Sequence, residues 1–537
     1  MLVDFENSDL SDAILPRTVV IGSGPVGLAV ARGLRRRGIP VVVLESGPAT
    51  ASAASDLNDG DSLGLPFTGT LKRGRGLGGG TSEWAGQCIR FHSSDFERRE
   101  WVGGSGWPIG YDDLVQFYSE AEQFFDVTAD GYQARVWRDF GLEPGSMIDT
   151  DVLVKFSVFA RRPQVFDRDR REWARDPDCW LIYNATVTDF IREGSSIVGV
   201  TVKSRAGASL MLQTSTVVLC VGAIEAPRAL LEPTPDFPSG VANGNPHVGM
   251  HLQDHPNLVT GRIEEYAPGQ GLAAVTRYMS TFHRRGRRYL PRLVLSSVRQ
   301  RELGVLNACG ITLFEWPEES VTQDLRELQA AVAGRRFDMR LSSRLRRALS
   351  DPRALSRIAR ARFRGQSFGE LPAQVSLHGT VEQDPTTTSS VALSSRLDTF
   401  GRPLAAVDWH VGDHERKTFL ALAQEIDAYL RYNRIGRVMI AHDLHKPGDE
   451  WKRRVADNQH HVGTARMAAT ERDGVVDPNG KVFGLTNLYL SGGAVMPTGS
   501  HANPTLTMTA LGFRLAAHLA KEVRVKEIAI PREWSVS

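Results

Sequence analysis

Thr18-Val19-Val20-Ile21-Gly22-Ser23-Gly24-Pro25-Val26-Gly27-Leu28-Ala29-Val30-Ala31-Arg32-Gly33-Leu34 is the stretch on which the fold turns. Thr18 to Ile21 is a short β-branched run of the kind a buried parallel strand requires. Gly22, Gly24 and Gly27 follow in G-x-G-x-x-G spacing, with Pro25 between them, and the alanine- and leucine-bearing run behind them predicts a helix. Pro40 to Leu44 predicts a second strand, which ends in Glu45, 23 residues after Gly22 (45 − 22). The glycines permit a tight turn and the close approach of a diphosphate to a helix N-terminus, and the acid can accept hydrogen bonds from ribose hydroxyls. A glycine triad alone marks only a tight turn. Strand, helix, second strand and acid together mark a dinucleotide site.

Further along, Arg73 to Gly86 is rich in glycine, but Leu77, Thr81-Ser82 and Trp84 interrupt it. That texture predicts a backbone wrapped around a bulky planar ligand, with an ordinary glycine surface loop as the alternative. Asp112 or Asp113 is placed to cap a helix running through Phe125. Ala185 to Ile191 and Ile197 to Val202 predict a hairpin about Arg192-Glu193-Gly194-Ser195. Thr216 to Val221, followed by Gly222-Ala223, echoes the first strand-and-turn and predicts a return to the nucleotide domain. Leu252-Gln253-Asp254-His255-Pro256 reads as a polar connector in which His255 has a structural hydrogen-bonding role rather than a catalytic one.

The totals exclude several classes. At 537 residues the chain requires two domains or more, and 41% apolar with 23% charged residues is a globular composition. A formal charge of +2 gives no reason to expect nucleic acid. Four scattered cysteines suit neither a disulfide framework nor a metal site, and no metal is expected. The acidic N-terminus lacks the features of a secretory signal and no apolar run is of membrane-spanning length, so a cytoplasmic location is expected.

Residues 258–455 change texture. Arg284 to Arg288, Arg335-Arg336 and the stretch 344–364 are strongly basic, and Leu341, Leu345 and Leu349 fall at helical spacing among the arginines. This reads as a solvated helical excursion at about 335–365; a membrane-surface or partner-docking face is the less favoured alternative. Alternation around Val375, Leu377, Val381, Val391 and Leu393 predicts antiparallel strands with a turn at Asp384-Pro385-Thr386, and Arg416 to Tyr432 predicts a helix. Near the C-terminus come His460-His461-Val462-Gly463-Thr464, a strand at Leu488 to Leu490 leading to Gly493-Ala494, and Asn503-Pro504-Thr505-Leu506-Thr507. Asn503 as cap and Pro504 at the first helical position open a helix over Thr505 to Glu522.

Taken together, the glycine triad with Glu45, the Gly78-Gly79 loop, Val248-Gly249 to Pro256, and the segment from His460 to Leu519 resemble the glucose-methanol-choline (GMC) flavoprotein oxidoreductases. Within that family, Asn503 to Thr507 and Trp84 resemble the sugar-oxidising branch. The resemblance implies FAD. Its diphosphate would lie at Gly22, Gly24, Pro25 and Gly27, its ribose at Glu45 and its adenine near Val187. Gly222, Ala223, Gly493 and Ala494 would border it, and its ring would lie near Gly78, Gly79, Thr81 and the Asn503-Pro504-Thr505 helix start. Glu83 stands where covalently flavinylated pyranose oxidases carry histidine, so non-covalent binding is expected, and the acid that many members carry near Gly492 is absent.

The resemblance gives His460 the position of the family base and Asn503 that of its partner. Rings of adjacent residues in an extended segment point oppositely, so one of His460 and His461 should face the flavin. His501 reads as a packing residue, with Thr464 and Arg466 fixing the turn. The implied reaction oxidises a secondary hydroxyl of a sugar or glycoside to a ketone, with proton to His460, hydride to flavin N5 and Asn503 on the substrate oxygen. Oxygen, a quinone or a redox protein would take the electrons. The competing readings are a non-redox lyase of the same fold, oxidation of a non-sugar alcohol, and a subunit docked on an electron-transfer partner. The fold class implied is α/β. A discontinuous Rossmann-like FAD domain would comprise 1–100, 181–257 and 456–537. An α+β substrate domain with an antiparallel sheet would comprise 101–180 and 258–455.

Overall fold

The structure, a computed structural model, describes residues 1–10, 13–52, 55–68, 73–127, 132–143, 151–242, 244–266, 269–333, 340–365 and 370–529. Six parallel strands form one sheet, in the order Leu2–Asp4, Cys179–Tyr183, Val41–Leu44, Thr18–Ile21, Thr216–Leu219, Leu488–Leu490. Val19, Val20, Val42, Val43, Val217 and Val218 are wholly buried, which is why these strands carry continuous apolar runs rather than alternation. From Thr18–Ile21 the chain passes through the helix Pro25–Arg35 to Val41–Leu44 on one side, and later returns as Thr216–Leu219 on the other. Neighbouring connections therefore diverge, and a crevice opens at the carboxyl ends of these strands. The helix Thr505–Ala529 lies against Pro25–Arg35, so closely that a Cβ on Gly33 would sit 2.6 Å from that of Ala516.

A second, antiparallel sheet follows the order Gly436–Ile440, Asn257–Glu265, Gln374–Val381, Ala308–Glu315, Arg287–Leu295, Val152–Phe159, Gln87–Cys88. The helix Asp413–Tyr432 covers it with buried Phe419, Leu422 and Ile426, as the periodicity of that segment predicts. The hairpin Thr186–Glu193 with Ser196–Lys203 also forms as expected, and Asp384 Oδ1 accepts from Thr386 N–H in the expected turn.

The expected division at 180/181 is corrected. Cys179–Tyr183 lies inside the parallel sheet, beside Val41–Leu44. The helices Asp112–Phe125 and Val165–Arg175 contribute Leu114, Tyr118, Phe166 and Trp173 to that sheet's core. Ion pairing of Arg32 with Asp169 and of Arg35 with Asp176 holds the second of these helices to the first strand-helix unit. Of residues 101–180, Val136–Asp139 and Val152–Phe159 pack with the antiparallel sheet. Conversely Gly60–Gly64, expected in the nucleotide part, pairs with Pro403–Trp409. Neither Asp112 nor Asp113 precedes its helix as a cap; Asp113 instead reaches back to accept from Gly110 N–H at 2.8 Å.

The basic excursion is helical at Val321–Ala333, Arg340–Ser350 and Pro352–Phe363, around a small core of Val321, Ala348 and Ala354. Leu345 and Leu349 are exposed rather than buried in it, while Arg347 pairs with Asp324. Arg335-Arg336 and the Leu341 side chain lie outside the described residues. All four cysteines are free and buried. Among the described residues no helix is long and apolar enough to cross a membrane.

Candidate active site and cofactor cleft

A cavity of about 680 Å³ occupies the crevice at the strand ends, within the range of ligand sites. Gly22, Gly24 and Pro25 border it at the start of the first helix, and each glycine of the triad has its own duty. Gly22 takes φ +97°, and a Cβ there would lie 2.7 Å from the Cys220 carbonyl oxygen. Gly27 does not border the cavity; it lets the helix approach the turn, since its Cβ would lie 1.9 Å from the Gly22 oxygen. At Gly24 a Cβ would meet no protein atom within 4 Å, so the space in front of it is open cleft. No side chain caps this helix, and its first N–H groups are left for a ligand. An open, uncapped helix start of this kind can cradle a diphosphate.

The remaining expected cofactor residues divide in two. Gly79, Thr81, Val187, Gly222, Ala223 and Gly493 border the cavity, as do Asn503, Pro504 and Thr505. Gly78 and Ala494 do not. Gly78 turns the loop at φ +91° and its carbonyl accepts from the Thr81 hydroxyl at 2.7 Å; Ala494 is buried, its carbonyl accepting from Ala465 N–H. Glu45 borders the cavity, but its carboxylate is already engaged. One oxygen accepts from Ser23 N–H (3.0 Å) and Ser23 hydroxyl (2.7 Å), the other from Gly47 N–H (2.9 Å) and Gly76 N–H (3.2 Å). A carboxylate has about four acceptor positions, so the acid ties the three glycine-bearing turns together and has little capacity left for ribose. Beside Val187, Arg402 donates to its carbonyl at 2.8 Å and clamps Glu232, an arrangement for which the sequence offered no signal.

The connector Gln253 to Asn257 is the backing of the histidine segment. Gln253 and Val462 exchange backbone hydrogen bonds at 2.9 Å, and Asn257 and Ala456 do so at 3.0 Å. Between them Asp254 accepts from the N–H groups of His255, Asn458 and His460. Burial is the largest influence on this carboxyl, followed by the neighbouring Asp457, and it is pushed up to about 7. Gln459, with φ +58°, holds a left-handed turn immediately before His460. Thr464 and Arg466 anchor the far end, donating to the carbonyls of Ala223 and Gly104.

His460 and His461 both border the cavity, and their rings part as an extended segment requires. His461 turns towards Asp254, at 3.5 Å, and packs its ring 5.1 Å from that of Phe67. His460 places Nε2 3.1 Å from Asn503 Nδ2 and Nδ1 2.9 Å from His255 Nδ1. His255 therefore stands directly against the His460 ring, a contact between residues 205 positions apart. Asn503 Oδ1 accepts from Arg292, a residue the sequence reading left in the undivided middle region. Its side chain is thus turned to Arg292 and His460, with one amide hydrogen left over, and does not cap the last helix, which starts at Thr505 with the Pro504 carbonyl as first acceptor. Pro504 is accordingly the cap and not the first helical residue. Desolvation, then the electrostatic influence of His255 and Arg292, hold His460 well below the usual histidine range, so at neutral pH its imidazole is uncharged. His501 is buried and packs away from the cavity wall.

Two GMC oxidoreductase family profiles match this chain, over residues 172–257 and 385–512. It is 22% identical to the fructose dehydrogenase large subunit of Gluconobacter japonicus, over 94% of this chain and 98% of that one. A C-glycoside 3-oxidase of Microbacterium trichothecenolyticum is 29% identical over 26% of each chain. A formate oxidase from Aspergillus oryzae RIB40 shares the fold at TM-score 0.55 and 18% identity, covering 96% of this chain and 100% of that one. With both profiles and these relatives in place, the chain belongs to the GMC oxidoreductase family and is an FAD-dependent oxidoreductase acting on CH–OH groups.

Proposed function

We propose that this enzyme oxidises a secondary hydroxyl of a sugar or glycoside to a ketone, with His460 as base and Asn503 on the substrate oxygen. The observation that carries the proposal is the 3.1 Å approach of His460 Nε2 and Asn503 Nδ2 on the wall of the cavity that holds the cradle. The residues fit FAD: the open space at Gly24, the uncapped helix start, and the Gly79 turn, whose Cβ would lie 2.8 Å from the Gly24 Cα, are shaped for a diphosphate and what it carries. Glu83, not histidine, stands beside the glycine loop, which favours non-covalent attachment. What FAD supplies when bound is a two-electron acceptor for the hydride of the carbinol carbon.

The chain's own residues do the rest. His460, uncharged, accepts the hydroxyl proton on the Nε2 lone pair, which Asn503 Nδ2 faces until the substrate hydroxyl takes its place. Asn503 Nδ2, a donor, holds the oxygen as negative charge develops on it. The first turn of Thr505–Ala529 has N–H groups without intrahelical partners and favours negative charge at the cavity end it borders. Trp84 offers an apolar plane to the cavity, and Gln87, Asn458 and Gln459 offer it amides, a combination that suits a ring with hydroxyls on its edge. The names of the two sugar-acting relatives support the same substrate class.

The test is anaerobic addition of pyranoses, glycosides and simple alcohols to the yellow protein. Bleaching by one sugar class supports the proposal, and readmitted air then separates oxygen from quinone or protein acceptors. Bleaching only by non-sugar alcohols moves the substrate class. A flavin that no alcohol bleaches sinks the redox reading and favours a lyase.

A further inference from the structure

The strand Arg287–Leu295 carries one buried cation, Arg292, to the back of the base. Arg292 donates to Asn503 Oδ1, to the His501 carbonyl at 3.2 Å and to Cys309 Sγ at 3.6 Å, and it does not border the cavity. A guanidinium has donors only, so the atom of Asn503 that faces it must be the oxygen. The amide nitrogen then faces His460 Nε2, which must be the acceptor; the proton of neutral His460 is on Nδ1. Nδ1–H points at His255 Nδ1, which must accept, leaving the proton of His255 on Nε2. His255 Nε2 lies 3.1 Å from the Gly499 carbonyl, a group that can only accept. The assignment is forced from both ends, and the two ends agree.

We infer that Arg292 is a positioning residue that sets the direction of the chain Arg292–Asn503–His460–His255–Gly499, and thereby keeps the lone pair of His460 on Nε2. The catalytic meaning of this rests on His460 being the base; the direction of the chain does not. When a hydroxyl proton arrives at Nε2, the bond that breaks is substrate O–H and the bond that forms is Nε2–H. The charge so created on His460 is shared through Nδ1–H with the lone pair of His255. The antiparallel sheet, through one strand, thus orients a base that the nucleotide-binding part holds. Asn503→Asp reverses the logic: an acceptor-only carboxylate draws a proton to His460 Nε2, and the reversed chain then ends in two lone pairs facing each other at Gly499.

The experiment is the nitrogen NMR spectrum of histidine-labelled holoenzyme, with the His460 signals identified by their absence in His460→Asn. The expected wild-type pattern is unprotonated Nε2 and protonated Nδ1. It should persist in Arg292→Lys, which is still donor-only, gain a minor population of the reverse tautomer in Arg292→Met, where only the Gly499 end still holds the direction, and reverse in Asn503→Asp. Protonated Nε2 in the wild type, or an unchanged pattern in Arg292→Met and Asn503→Asp together, overturns the inference; the wild-type spectrum alone does so even where a variant does not fold. With any substrate that bleaches the flavin, Asn503→Asp should slow bleaching by about 100-fold. Correct tautomers combined with an undiminished His460→Ala rate support the chain of hydrogen bonds and refute the proposed role of His460 instead.

Discussion

Gly24 and Gly27, three residues apart on one turn, are opposed in what alanine would do to them. At Gly27 the new Cβ lands 1.9 Å from the Gly22 oxygen and 3.0 Å from its carbonyl carbon, where ordinary contact begins at 3.4 Å. Both obstacles are backbone, so no rotamer relieves them and the helix Pro25–Arg35 must move off the sheet. Overpacking of this kind costs about 1–3 kcal/mol, and a backbone obstacle puts Gly27→Ala at the upper end, roughly 3 kcal/mol. At Gly24 the conformation, φ −62° and ψ 177°, is ordinary for any residue, and the Cβ meets no protein within 4 Å. Gly24→Ala should therefore cost the apoprotein at most about 1 kcal/mol at a helix cap. Its methyl group instead occupies the space left for the diphosphate, and a loss of 10- to 100-fold in FAD affinity, about 1.4–2.8 kcal/mol, is expected. The assay is thermal melting of apoprotein and FAD-loaded protein, together with the flavin retained after desalting. Gly27→Ala should melt early in both forms; Gly24→Ala should melt normally as apoprotein and lose the stabilisation that FAD gives. A Gly24→Ala protein that keeps its flavin as tightly as wild type would place the diphosphate elsewhere and refute the reasoning.

Three other perturbations have defined outcomes. His460→Ala should retain FAD, since the cradle is remote from it in sequence and contact, yet lose about 100-fold or more in the rate of flavin bleaching; full rate removes it as the base. Glu382 is wholly buried, pairs with Arg99 at 2.7 and 3.0 Å, and accepts from Ser500 N–H, so it ties the turn before Asn503 to two other segments. Glu382→Ala leaves that arginine buried and unpaired and should cost about 3–5 kcal/mol by chemical denaturation; a near-neutral effect contradicts the pairing. Acid should destabilise the fold through its buried histidines. Burial lowers His255 to about 4 and His461 to about 3, from an ordinary value of 6.5. Between these limits the unfolded chain binds protons that the folded one refuses, so stability is complete above pH 6.5 and falls as pH drops, by about 1.4 kcal/mol per unit for each histidine. Asp254, pushed up to about 7, binds one proton in the folded state and opposes this only in part. The melting temperature should fall between pH 6.5 and 5; a flat or rising profile rejects the burial of these imidazoles.

What the sequence determined by itself was whatever local pattern controls. The run Thr18–Ile21 with its three glycines, the hairpin after Ala185, the helix ending at Tyr432 and the turn at Asp384 are each written in consecutive residues, whose propensity and periodicity act over a few positions. The positions of His460 and Asn503 were legible because a resemblance carried them, and the opposition of the His460 and His461 rings because extended backbone imposes it. Tertiary structure decided the rest. It placed Cys179–Tyr183 in the parallel sheet, since nothing within a buried strand of five residues states which neighbour it will pair with. It engaged Glu45 with Ser23, Gly47 and Gly76, because hydrogen-bond capacity is consumed by whichever donors the folded turns bring near. It set Arg292 against Asn503 and His255 against His460, from strands and connectors far away in the chain. Such contacts depend on strand order and on which face of a sheet each side chain occupies. Those are properties of the whole packed core, and no window of sequence contains them.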